Sequence, residues 1–147
     1  MSAPRNFPLV DPVLLYDGEC GLCNRVVRRL LRLDRSGRLR FARLQSQAGQ
    51  DYLRSHGLPV KDFDSLVLVP DWTHQPAGEF LLRTDGVIVA LHGCGGLGTV
   101  FAVALAVFPA AWRDAGYRLV ARWRYRIFGE WKPRPLARPE WAARFID

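Results

Sequence analysis

The sequence has few cysteines, almost no lysine and no repeated segment. Three cysteines among 147 residues exclude the cysteine-dense scaffold of small secreted proteins. Residues 1–10 contain no apolar run of signal-peptide length, so we expect a cytoplasmic protein in a reducing compartment. Two closely spaced cysteines in such a compartment indicate redox catalysis or metal binding rather than a structural disulfide.

The scarcity of lysine gives the positive charge an unusual origin. Lysine occurs only at Lys61 and Lys132, and arginine supplies the rest of the cationic side chains behind a net charge of +7. A basic surface attracts nucleic acid, anionic lipid or acidic proteins, but an ordinary solvated surface explains the same charge. Charge alone therefore selects no partner.

Apolar and aromatic residues are abundant, at 49% and 12% of the chain. A disordered chain has much less of both, and a chain of this length can bury a core without metals or disulfides. We predict one domain over residues 1–147, with a core at about 13–129 and a C-terminal arm over 130–147.

Hydrophobic periodicity predicts alternating strands and helices. Short apolar runs predict strands at 13–16, 38–42, 65–69 and 79–83. Spacings of three and four predict helices at 20–34, 46–56, 85–91, 97–108 and 111–125. The order β-α-β-α-β-β-α, followed by further helix, favours an α/β fold with a thioredoxin-like mixed sheet, whose last two strands are antiparallel.

The pair Cys20 and Cys23 follows the first predicted strand and opens the first predicted helix. A helix N-terminus carries partial positive charge and unpaired N–H groups, which stabilise a thiolate. Two intervening residues place the second sulfur one turn deeper, where it can close a disulfide. We expect an exposed Cys20 to attack a substrate disulfide and a sheltered Cys23 to resolve the mixed disulfide.

Asp17 precedes this pair and has two interpretations. It is either a proton acceptor for Cys23 during resolution or a residue that shapes the turn. A nearby carboxylate also opposes thiolate formation, against the effect of the helix end.

The stretch from Tyr16 to Asn24 resembles the DCC family of thiol–disulfide oxidoreductases. The family signature D-G-x-C-x-x-C-N is matched by Asp17, Gly18, Cys20, Cys23 and Asn24. A second similar stretch contains Arg113-Asp114, Tyr117, Ala121-Arg122, Arg124-Tyr125-Arg126 and Phe128-Gly129. The resemblance implies a thioredoxin-like fold and a redox role for Cys20 and Cys23, with Asp17 at the site.

The chain is therefore expected to be an enzyme of reversible thiol–disulfide exchange on protein or low-molecular-weight thiols. No cofactor beyond the dithiol is expected. A zinc-binding structural domain is the first alternative, with Cys20, Cys23, His92 and Cys94 as ligands. His92 or Cys94 could also join the redox site, with Cys94 as a second resolving thiol.

Two further alternatives concern the surface. Residues 86–112 are apolar enough to suggest a membrane span, although a buried helical hairpin explains them as well. The arginines at 118, 122, 124 and 126 alternate with aromatic residues as in nucleic-acid-binding surfaces, but a half-buried helix gives the same pattern. We expect neither a membrane nor nucleic acid as partner.

Overall fold

The computed structural model describes residues 11–34, 37–61, 66–73, 80–129 and 139–146. The strands are β1 (Val13–Tyr16), β2 (Arg40–Arg43), β3 (Val67–Val69), β4 (Leu81–Leu82) and β5 (Phe145–Ile146). The helices are α1 (Gly21–Leu33), α2 (Gln47–Ser55), α3 (Arg83–Cys94), α4 (Leu97–Ala106) and α5 (Ala110–Phe128), with a 3₁₀ helix at Pro139–Arg144. The predicted elements up to residue 128 are thus confirmed in type and order.

The five strands form one mixed sheet in the order β4-β3-β1-β2-β5. β1 is parallel to β2 and antiparallel to β3, while β3 and β4 form the predicted antiparallel pair. The arm contributes β5, which pairs in parallel with β2 and which the sequence did not predict. The thioredoxin-like α/β fold expected from the sequence is confirmed.

Successive side chains of a strand point to opposite faces of the sheet. Both faces therefore carry apolar side chains, and helices cover both. Leu14 and Tyr16 of β1 face a cluster with α1, α3 and the arm residue Trp141. Val13 and Leu15 face the opposite cluster, which contains residues of α2. Residues 130–138 of the predicted arm lie outside the residues that the structure describes.

The predicted buried hairpin over 86–112 is only half correct. The α3 residues Ile88, Val89 and Ala90 are buried, as expected. Helix α4 approaches α3 closely at Gly98, where an added Cβ would lie 2.5 Å from a carbonyl oxygen of α3. Most of its large apolar side chains, however, remain exposed.

No single helix in the described ranges is long and apolar enough to cross a bilayer. Helices α4 and α5 reach the necessary length and composition only as a pair, and they are bent by 108° relative to each other.

Candidate active site

The turn between β1 and α1 places both cysteines at the start of the helix. Cys20 is the N-cap residue of α1, with extended backbone angles. The Asn24 side chain donates hydrogen bonds to the carbonyl oxygens of Gly18 (3.0 Å) and Cys20 (2.9 Å). Asn24 therefore ties the first turn of the helix to the preceding loop and fixes where the first thiol lies.

Cys20 and Cys23 come within 3.6 Å of each other, and both are free thiols. Cys20 is 0% exposed, whereas Cys23 is partly exposed. The expectation of an accessible Cys20 is therefore wrong, whereas Cys23 is partly covered, as expected. The two cysteines lie together as predicted, but the more exposed residue of the pair is Cys23.

The C-terminal end of α5 explains the crowding around Cys20. The Gly21 N–H donates to the carbonyl oxygen of Gly129 at 3.1 Å, so the end of α5 lies directly against the start of α1. A Cβ on Gly21 would lie only 2.9 Å from the Phe128 carbonyl oxygen. This contact joins residues more than a hundred positions apart, which no local sequence pattern could indicate.

The two thiols have opposite pKa shifts. A hydrogen bond from the Cys23 side chain, helped by the backbone N–H groups of Cys23 and Leu22 and by Arg124, lowers the pKa of Cys20 from 9.0 to about 6, although burial opposes this. The same sulfur–sulfur hydrogen bond, together with burial, raises the pKa of Cys23. One proton is thus shared by the pair, and the thiolate at rest belongs to Cys20.

Asp17 lies in the same site, buried and fully engaged. Its carboxylate forms an ion pair with Arg124 at 3.1 Å and accepts the hydroxyl proton of Tyr125 at 2.5 Å. It also accepts hydrogen bonds from the Gln45 side-chain amide at 2.6 Å and from the Glu19 backbone at 3.0 Å. The bond from the Glu19 backbone is what the turn-shaping interpretation requires, and the bonds from Arg124 and Tyr125 tie Asp17 to α5.

Arg124 connects this carboxylate to the thiols. One of its terminal nitrogens contacts Asp17, and the other lies 3.7 Å from the Cys23 sulfur. The side chain is buried, so Arg124 does not belong to the basic surface with which its sequence pattern grouped it. Its charge lowers the pKa of both thiols, although stronger effects outweigh it at Cys23.

Sequence reasoning from periodicity missed the roles of Arg124, Tyr125 and Gln45. Arg124 and Tyr125 are part of the second stretch that resembles the DCC family, and that resemblance was the signal that could have found them. Gln45 carries no such signal, although its amide oxygen also accepts the Gly18 N–H at 2.9 Å and so holds the turn.

An apolar cleft of about 130 Å³ opens beside Cys23, between α1, α3 and α5. Arg124 is the charged residue in its lining, which otherwise includes Leu22, Val26, Tyr117 and Val120. Cys23 is thus one of the residues that line this cleft. A more polar recess lies on the other side of Asp17, next to Gln50 and Lys61.

The zinc alternative is not supported. The Cys94 thiol lies 3.9 Å from the Leu30 carbonyl oxygen, roughly 10 Å along α1 from Cys23 at 1.5 Å per residue. Within the described ranges no three His, Cys, Asp or Glu side chains form a group suited to a metal ion. The His92 side chain lies outside what the structure describes. Cys94 is too distant to be either a shared ligand or a second resolving thiol.

Comparisons with known proteins match most of the chain. The family model of the DCC1-like thiol–disulfide oxidoreductases matches residues 14–130. The chain is 34% identical to the uncharacterised Bacillus subtilis protein YuxK over 91% of this chain and 93% of that one. It is 32% identical to a chloroplastic DCC family protein of Arabidopsis thaliana, over 80% of this chain and 65% of that one. No solved structure matches the chain significantly.

Proposed function

Because the chain belongs to the DCC1-like thiol–disulfide oxidoreductase family, we propose that it catalyses reversible exchange between its Cys20–Cys23 pair and the disulfide of a protein or low-molecular-weight thiol. The observation that carries this proposal is the thiol pair itself, 3.6 Å apart at the start of α1. The cytoplasm is the proposed compartment, since thiols there are kept reduced and available for exchange.

Cys20 and Cys23 differ in exposure, so the proposal gives them different tasks. Cys23 faces the cleft and forms the mixed disulfide with the substrate. Cys20 keeps the charge of the pair in a covered position, because its pKa is the lower one. A thiol of low pKa is the better leaving group, so Cys20 departs readily when a substrate thiolate attacks the Cys20–Cys23 disulfide at Cys23.

The reductive direction uses the same atoms. For the attack, the Cys23 proton passes to the Cys20 thiolate. This transfer runs against the pKa shifts of the pair, so the attacking form is the minor one, and Arg124 stabilises its charge on Cys23. The Cys23 thiolate attacks one sulfur of the substrate disulfide and releases the other as a thiolate, which takes up the proton from Cys20. Cys20 then attacks the Cys23 sulfur and releases the second substrate thiolate. The protein loses two electrons and the substrate disulfide gains them.

Asp17 serves this reaction as a positioning residue. Its carboxylate holds Arg124 against the Cys23 sulfur and fixes Tyr125 at the same end of α5. The alternative role as proton acceptor for Cys23 would appear in the pH profile of exchange. If Asp17→Asn changes the rate without moving the pH at which exchange is half-maximal, positioning is sufficient.

The test is a trapping experiment on the full chain with oxidised glutathione. Cys20→Ser removes the thiolate that raises the pKa of Cys23, and it removes the thiol that would resolve the mixed disulfide. Cys23 is therefore expected to form a stable mixed disulfide with glutathione, visible by intact-mass spectrometry. Cys23→Ser retains only the covered thiol and is expected to react at least tenfold more slowly, about 1.4 kcal/mol in barrier height. Cys94→Ser serves as the matched control and should behave as wild type.

Each other outcome has a definite meaning. Equal reactivity of the wild type and all three variants would remove the redox function. Trapping on Cys20 in Cys23→Ser, with none in Cys20→Ser, would keep the function but return the attacking role to Cys20.

A further inference from the structure

The outward surface of α5 is divided into an apolar and a basic side. Residues spaced by three and four place large apolar side chains along one side, with Trp112 and Ile127 both 70% exposed. We define this apolar face of α5 as Trp112, Leu119, Val120, Trp123 and Ile127. Arg118, Arg122 and Arg126 follow one another at four-residue spacing along the neighbouring side and are exposed.

The apolar surface extends beyond α5 at its N-terminal end. Val107 and Phe108 occupy the bend between α4 and α5, and Val107 is 75% exposed. On α4, Leu97, Val100 and Phe101 are exposed as well. Exposed large apolar side chains concentrated in two consecutive helices and the bend between them mark an interaction site.

The charge beside this apolar surface is positive. Asp114 is the only acidic residue in the sequence from 97 to 129. Two of the five arginines in that stretch form ion pairs within the protein: Arg113 pairs with Asp85, and Arg124 pairs with Asp17. The other three, Arg118, Arg122 and Arg126, are exposed, with the Arg126 guanidinium 5.2 Å from the centre of the Trp123 ring, and they complement a surface that carries phosphate groups.

We propose that α5, with the bend that precedes it, docks in the plane of an anionic lipid surface. Trp112 and Trp123 belong to the residue type that concentrates at the boundary between headgroups and acyl chains. An amphipathic helix with an apolar side and an arginine-rich side lies flat at this boundary. The arginines contact lipid phosphates, and the apolar face of α5 enters the acyl region. This docking is proposed independently of the exchange reaction, although Val120 belongs both to the apolar face of α5 and to the cleft beside Cys23.

The test measures co-sedimentation of the full chain with two kinds of vesicle. One kind is pure phosphatidylcholine, and the other is an equal mixture of phosphatidylcholine and phosphatidylglycerol. Binding is expected with the anionic vesicles, together with a blue shift of tryptophan fluorescence and weakening by salt. Arg118→Gln combined with Arg122→Gln is expected to weaken binding by about 25-fold, at about fivefold per arginine near the surface.

Two further variants separate this proposal from its rivals. Trp112→Ala combined with Ile127→Ser should abolish the fluorescence shift and most of the binding. Arg54→Gln combined with Lys61→Gln removes the same charge from another exposed part of the chain and should bind as wild type.

Several results would overturn lipid docking. The first is an absence of binding to anionic vesicles. The second is an equal loss of vesicle binding in the Arg54 and Lys61 control variant. The third is a stable dimer that covers the tryptophans and does not bind vesicles. Salt-sensitive oligonucleotide binding that needs the arginines but not Trp112, with no vesicle binding, would assign the surface to nucleic acid instead.

Discussion

Cys20 carries the charge of the dithiol because the hydrogen-bond donors around its sulfur outweigh the cost of burial. With its pKa at about 6 instead of 9.0, the thiolate predominates at neutral pH and is protonated as the pH falls through 6. Titration of the reduced protein, followed by the ultraviolet absorbance of the thiolate, is expected to show a midpoint near 6. The rate of exchange should fall below the same pH.

Two variants control this titration. Cys20→Ser should lose the transition, while Cys94→Ser should keep it because burial raises the pKa of Cys94 to about 12. A wild-type midpoint at the ordinary thiol value would contradict the stabilisation of the Cys20 thiolate by its neighbours.

The ion pair between Asp17 and Arg124 is buried, so removing one partner leaves an uncompensated charge. Arg124→Gln is expected to lower the free energy of unfolding by about 3 kcal/mol, and Asp17→Asn by a similar amount. The double variant should cost about 2 kcal/mol less than the sum of the single variants, because the charges are removed together. Urea unfolding at neutral pH measures all three. Additive losses would show that the two side chains do not stabilise each other.

The residues of this site were predictable to different degrees. Cys20, Cys23 and Asp17 stand together in a short motif, and the apolar strand and amphipathic helix around them fix their placement. Arg124 follows them by a hundred residues, and its periodicity is equally compatible with a solvated helix face. The error about Cys20 has the same origin, since the crowding around it comes from the distant end of α5.

At the scale of elements, α1 and α5 can approach each other because Gly21 has no side chain. Gly21→Ala would press a methyl group against the carbonyl oxygens of Phe128 and Gly129, at 2.9 and 3.1 Å. We expect a loss of about 2 kcal/mol in the free energy of unfolding, together with faster alkylation of Cys20 as the end of α5 moves away. Urea unfolding and timed alkylation measure the two effects.

Gly116→Ala is the matched control for this substitution. Gly116 lies inside α5, and its added methyl group would meet nothing within 4 Å. Alanine there should stabilise the protein by up to about 1 kcal/mol, since it favours helix more than glycine does. If Gly21→Ala were equally harmless, the close approach of the two helices would not constrain the site.

Elements with local signals were predicted well, and elements defined by distant partners were not. The helix predicted over 46–56 is present as α2, and Ser46 caps it, with its side chain accepting the Gly49 N–H at 3.1 Å. The strand β5 has only two residues and no pattern of its own. It exists because its partner β2 offers an edge, which the sequence of Phe145 and Ile146 cannot reveal.

At the scale of the whole molecule, the arm holds the far end of the fold together. Trp141 is buried in the cluster formed with α1 and α3, and Arg144 pairs with Asp34 at the C-terminal end of α1. The Arg144 side chain also donates to the Leu39 carbonyl oxygen at 3.0 Å, just before β2. The arm thus fastens the helix that carries the thiols to the strand beside it.

Removal of the buried tryptophan tests how much the fold depends on this arm. Trp141→Ala is expected to lower the free energy of unfolding by about 3 kcal/mol, because it deletes a large side chain from a packed cluster. Trp112→Ala removes the same side chain from an exposed position and should change stability by less than about 0.5 kcal/mol. Urea unfolding in the absence of lipid compares the two. If Trp141→Ala were as mild as Trp112→Ala, the arm would be an appendage to the fold, and the thiol-bearing helix would be held by the sheet and the other helices.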